Sequence, residues 1–178
     1  MIRQIVTTLA FVSAAIVSTT PVLSQSATKD QGCRVTIGRK APTLASQLFG
    51  AGSAHWSGNL YVGGLWPDGT IVFQDGGPGS IEADGSMGMK FGWFRGEGVR
   101  GKLNIHGKRL DGPAPPLRAH IPEGYGETGF QATGVIFPTE GCWEVTGEAG
   151  VASLTFVTRV VRVKAHSTQL KLKGRKQP

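Results

Sequence analysis

The chain reads GVIFPTEGCWEVTG from Gly134 to Gly147 and, after Glu148-Ala149-Gly150-Val151, ASLTFVTRVVRV from Ala152 to Val163. β-Branched and aromatic residues fill both runs, and Pro138 to Gly141 cuts the first of them; such residues suit a pleated, half-buried surface. Cys142 to Gly147 is therefore expected to pair with Ala152 to Val163, burying Leu154, Phe156 and Val160. Trp143 is placed in the core.

Short strand candidates recur upstream at the spacing of a sandwich. Met87 to Arg95 puts Met89, Phe91 and Trp93 on one face, with Phe94 on the other. Gly101 to Leu110 turns Leu103 and Ile105 inward, and Gly107 reads as a bulge. Leu110 to Pro116 (LDGPAPP) has too few backbone donors for a sheet interior and reads as an extended crossover or sheet-switching edge. Leu117 to Ile121 and Phe130 to Phe137 resume strands around the turn Pro122 to Gly129. Further towards the N-terminus, Leu60 to Val62 and Thr70 to Gln74 read as a hairpin through Pro67-Asp68-Gly69. Cys33 to Ile37 alternates like a strand, and Thr43 to Phe49 offers the one short helical turn. The pattern predicts an all-β fold: an immunoglobulin-like antiparallel β-sandwich of seven to nine strands, with no second domain.

From Trp56 to Val163 the chain resembles a group of uncharacterised exported bacterial immunoglobulin-like domains. The resemblance rests on the Trp-Pro-Asp-Gly turn within Leu65 to Thr70, the Lys-Phe-x-Trp strand within Lys90 to Arg95, and the Phe-Pro-x-x-Gly-Cys-Trp-Glu-Val ending of Leu110 to Thr146. It implies an exported immunoglobulin-like fold and transfers no catalytic residue.

Residues 1–26 carry Arg3, an apolar run from Ile5 to Val17 and a small polar end at Leu23-Ser24-Gln25-Ser26, which reads as a secretory signal peptide. The run is well short of the ~20 residues that cross a bilayer. The mature protein is expected to be secreted or periplasmic, with one domain over residues 27–166 and a disordered basic tail over residues 167–178. Two cysteines in an oxidising compartment most often form one disulfide, the alternative being two buried thiols. Cys33 and Cys142 are expected to be bonded, and strand parity turns Cys142 away from Trp143, so the bridge would clasp an N-terminal segment onto the outside of the sheet.

The formal charge is +7, but Arg159, Arg162, Lys164, Lys171, Lys173, Arg175 and Lys176 crowd the C-terminus without an acidic residue. Without these seven and Arg3, eleven basic residues face twelve acidic ones. A nucleic-acid-binding face is disfavoured, while the tail has the composition to contact anionic surfaces.

Signatures of chemistry fail in turn. There is no Gly-x-Ser-x-Gly elbow, no His-Glu-x-x-His, no Cys-x-x-Cys and no phosphate loop. Gly76-Gly77-Pro78-Gly79 precedes no helix and reads as a loop; Glu123 and Glu127 share a turn and read as solvated. His106 and His120 lie on neighbouring strand candidates and are the weak candidates for a copper or zinc pair. The aromatic residues Trp56, Trp66, Phe94 and Tyr125 are the candidate binding residues, for sugar rings or a partner protein. The reading is an exported, non-catalytic module that binds a cell-envelope protein or glycan and needs no cofactor. The alternatives are a periplasmic small-ligand or metal-binding protein, and a hydrolase with an unrecognised site.

Overall fold

The computed structural model describes residues 32–40, 42 and 53–163. The signal peptide, the basic tail and the helical turn at Thr43 to Phe49 lie outside them. In chain order the strands are β1 (Arg39–Lys40), β2 (Ser53–Ser57), β3 (Leu60–Leu65), β4 (Thr70–Phe73), β5 (Ser80–Ile81), β6 (Met87–Arg95), β7 (Leu103–Arg109), β8 (Arg118–His120), β9 (Gly129–Phe137), β10 (Gly141–Ala149) and β11 (Ala152–Arg162). No helix occurs among the described residues.

β10 and β11 form the hairpin that their alternation requires, in continuous register from Gly141↔Val160 to Ala149↔Ala152. Trp143, Val145 and Ala149 point inward from β10, and Leu154, Phe156 and Val160 from β11. These strands centre a four-stranded sheet in the order β4-β11-β10-β7. A seven-stranded sheet, β1-β2-β3-β6-β9-β8 with β5 beside β6, faces it. Met87, Met89, Phe91 and Trp93 of β6, with Val135 and Phe137 of β9, supply its inner surface. The fold is thus a two-sheet, all-β sandwich.

Packing between the sheets is specific at Trp93. Its indole stands over Gly147 of β10, where an added Cβ would overlap the six-membered ring. Only a residue without a side chain lets the larger ring fill the space, so the pair Trp93 and Gly147 fixes the local distance between the layers.

The structure corrects three readings. Leu60 to Val62 and Thr70 to Gln74 are not a hairpin. The turn itself forms, with Gly69 N donating to Trp66 O at 3.0 Å and Thr70 N to Asp68 Oδ1 at 3.0 Å. It nevertheless carries the chain from one sheet to the other, where β4 lies parallel to β11 with Thr70 opposite Arg159. The sandwich is therefore antiparallel except for this pair. Gly107 is not a bulge either, because β7 keeps continuous register with β10. Its missing side chain makes room for Leu117, which an added Cβ would strike, and Leu117 N donates to Gly107 O at 3.3 Å. Cys33 to Ile37, lastly, is not a ladder strand; β1, β2 and β5 are strands that the alternation did not mark, which brings the described total to eleven.

The N-terminal segment instead straps the two sheets together. Cys33 is bonded to Cys142, across a sequence separation of 109. Thr36 N then donates to Val157 O at 2.8 Å, and Val157 N to Thr36 Oγ1 at 2.9 Å. Arg39 and Lys40 go on to pair with β2 of the opposite sheet. At the other side, residues 110–117 cross from β7 to β8 as the proline-rich sequence requires, with Ala114 packed on the core.

Candidate functional site

Alternation in β6 that sends Trp93 inward sends Phe94 to the outer face of the larger sheet, and the register then builds a row around it. Trp56 pairs with Tyr61, Tyr61 with Phe94, and Phe94 with Phe130. Four aromatic rings from four adjacent strands, β2, β3, β6 and β9, thus lie side by side on one surface. Tyr61 and Phe94 have ring centroids 6.1 Å apart. Phe130 is 41% exposed and carries Tyr125, itself 37% exposed, edge-on at 6.4 Å. At the far end the Arg39 guanidinium lies 4.0 Å from the centroid of the Trp56 ring. Tyr61 donates its hydroxyl to Asn59 Oδ1 at 3.3 Å, and Asn59 Nδ2 donates to Glu97 O at 2.8 Å, which ties the phenol to the adjoining turns.

Next to the aromatic row runs one of small residues, Ala54, Gly63, Gly92 and Ala132, paired in the same order across the same strands. Beyond it Lys90, Gly134 and His120 form a third row across β6, β9 and β8. The outer face is therefore a shallow trough. Aromatic rings wall one side, Gly92 and Ala132 floor it half-buried while Ala54 and Gly63 are buried, and Lys90 and His120, both exposed, stand on the other side.

Of the four aromatic residues singled out in the sequence, this surface gathers Trp56, Phe94 and Tyr125. Trp66 is elsewhere: it is half-buried and packs against the main core, because the turn after it folds the chain back between the sheets. Tyr61 and Phe130 complete the row and were not singled out. Gly58-Asn59 between Trp56 and Tyr61 is a two-residue hairpin signal that points to the first of them; Gly58 takes the left-handed conformation there, at φ 54°. Phe130 depends on the β6–β9 register, which no local pattern states.

His106 and His120 do not share a sheet. His106 lies on β7 in the smaller sheet and His120 on β8 in the larger, and both are exposed. No group of three or more His, Cys, Asp or Glu residues is placed to hold a metal ion among the described residues. His55 is buried between the sheets, its ring stacked on Phe156 at 4.8 Å and 15°. Burial, with the Arg39 charge as a second cause, lowers its pKa from 6.5 to about 4, so the ring is neutral near pH 7.

Glu123 and Glu127 line the mouth of a cleft of about 510 Å³ between the 121–127 loop and Leu103, with Lys102, Tyr125 and Gln131. Arg95, 2% exposed, holds this loop from beneath, Nη1 donating to Gly101 O at 2.7 Å and to Gly126 O at 3.1 Å. Burial lowers the pKa of Arg95, against the opposing pull of Glu127. Gln131 Nε2 donates to Pro122 O at 3.1 Å, while its Oε1 is buried without a hydrogen-bond partner. No protein-family model, no curated protein and no solved structure matches the chain.

Proposed function

We propose that the chain is an exported, non-catalytic binding module with an immunoglobulin-like sandwich, which holds an extended cell-envelope glycan against the outer face of its larger sheet. The row Trp56, Tyr61, Phe94 and Phe130 is the observation that carries this reading. Neighbouring strands are about 4.8 Å apart, so four rings make a strip roughly 14–15 Å long. That strip suits a few consecutive pyranose units, whose C–H faces lie on aromatic rings while their hydroxyls reach polar neighbours. Beside Phe94 and Phe130 the small residues Gly92 and Ala132 let such a chain approach the backbone. The signal-like N-terminus and the disulfide support an oxidising, extracytoplasmic setting. Trp143, buried beside Phe137 in the penultimate strand, supports the immunoglobulin-like assignment.

Binding of the purified mature protein to immobilised envelope polysaccharides tests the reading. Phe94→Ala and Trp56→Ala should each weaken binding by about tenfold or more, as the loss of an aromatic anchor does. Phe94→Ala should leave stability within about 1 kcal/mol. A protein partner that is lost with the same substitutions, with no glycan bound, would reassign the row to protein recognition.

The 121–127 cleft, which Lys102, Tyr125 and Gln131 line, favours a second reading, a small ligand. Native mass spectrometry of the purified protein separates the two: a co-purifying small molecule lost in Gln131→Leu supports the cleft, and its absence leaves the row.

A further inference from the structure

The charges around the trough are uneven. Arg39 lies over Trp56 at one end, and Lys90 projects from the row beyond the glycine floor. Lys90 is exposed and makes no ion pair among the described residues. Arg118, one row further on, is held by Asp84 at 3.4 Å, so its charge is largely offset. His120 stands beside Gly134 on the same face. No outward position of the three rows carries a carboxylate. Acidic groups lie at the margins: Glu82 hydrogen-bonded to Ser80 beyond Gly88, Glu97 in the turn after β6, and Glu123 and Glu127 in the loop beside Phe130.

We infer that the trough selects an anionic pyranose polymer, a glycan whose ring-borne carboxylate or sulfate groups meet Lys90 and Arg39 while its sugar faces lie on the aromatic row. This rests on the glycan reading proposed above and names the class of glycan. The anion has to be carried on a ring, because a phosphodiester-linked polyol offers no flat face to Phe94 and Tyr61. Its charge has to be negative, because a basic polymer would place ammonium groups against Lys90 with no carboxylate in the trough to receive them.

The test titrates the mature protein with oligomers of matched length: a 1,4-linked polyuronate, a sulfated glycan and a neutral glucan. At low salt an acidic arm should bind at least about tenfold more tightly than the neutral one, and the margin should shrink as ionic strength rises. Which acidic arm prevails identifies the anion. Lys90→Glu should remove most of that margin. Lys108→Glu, an equal charge change on the outer face of the other sheet, should not. Both residues are exposed, so melting temperatures report whether either variant is perturbed. Equal binding of acidic and neutral arms, with Lys90→Glu silent and Phe94→Ala still disruptive, would overturn the charge inference and leave the glycan reading. Failure of every arm to bind would overturn the glycan reading itself.

Discussion

At the scale of single residues, one tight constraint between the sheets is a missing side chain. Gly147→Ala drives a methyl group into the Trp93 ring, so either the indole leaves its position or the sheets part. The expected cost is about 1–3 kcal/mol, read from urea unfolding. Gly134→Ala is the control: its added Cβ would meet only His120 Cβ at 3.7 Å, and stability should change by less than about 1 kcal/mol. His55 makes a second prediction at this scale. Its folded pKa of about 4 lies below its ordinary 6.5. Between those values the unfolded chain binds the proton and the folded one does not, so stability is constant above about pH 6.5 and falls as the pH drops towards 4. At 1.36 kcal/mol per pH unit the loss is at most about 3 kcal/mol. Unfolding free energies measured across that range should show the slope in the parent protein and its loss in His55→Gln.

At the scale of elements, the N-terminal strap has no ladder of its own in the smaller sheet and is held by one covalent bond and a few hydrogen bonds. Cys142 is buried although it faces away from Trp143, because the segment around Cys33 covers it. Closing a loop across 109 residues restricts the unfolded chain by roughly 4–5 kcal/mol in the chain-entropy account. Cys33→Ser with Cys142→Ser should lower the unfolding free energy by a comparable amount, and reductant should have no further effect on the double variant. The β3–β4 connection is the other element on which the layers depend. Trp66 packs there against the core. Trp66→Ala should therefore cost more than about 1 kcal/mol, whereas a ring exposed at a hairpin tip would cost less. Thermal melting of Trp66→Ala alongside Phe94→Ala makes that comparison directly.

At the scale of the whole molecule, the two sides of one strand do different work. Inward residues of β6 pack the sandwich, and outward Phe94 belongs to a surface assembled from four strands. Trp143 is 0% exposed, so Trp143→Ala should cost about 3–5 kcal/mol as a core truncation and abolish binding only by unfolding the protein. Phe94→Ala should show the opposite pattern, with folding retained and the proposed glycan binding lost. Circular dichroism melts paired with polysaccharide retention assays separate these outcomes.

Sequence alone was enough for the all-β class, the inward face of β6, β10 and β11, the sheet-switching run before Leu117 and the pairing of Cys33 with Cys142. Each follows from local alternation, from proline's missing donor, or from there being only two cysteines to pair. The aromatic site was legible one ring at a time. Trp56, Phe94 and Tyr125 stood out by composition and parity, but Tyr61 and Phe130 joined them only through strand register. Trp66 left the group because a tight turn has the same local sequence whether it closes a hairpin or crosses between sheets. Periodicity records which way a side chain points from its own strand. Which strands lie side by side is decided by long-range pairing and by fits such as Trp93 against Gly147, and that lateral order turns separate rings into one surface.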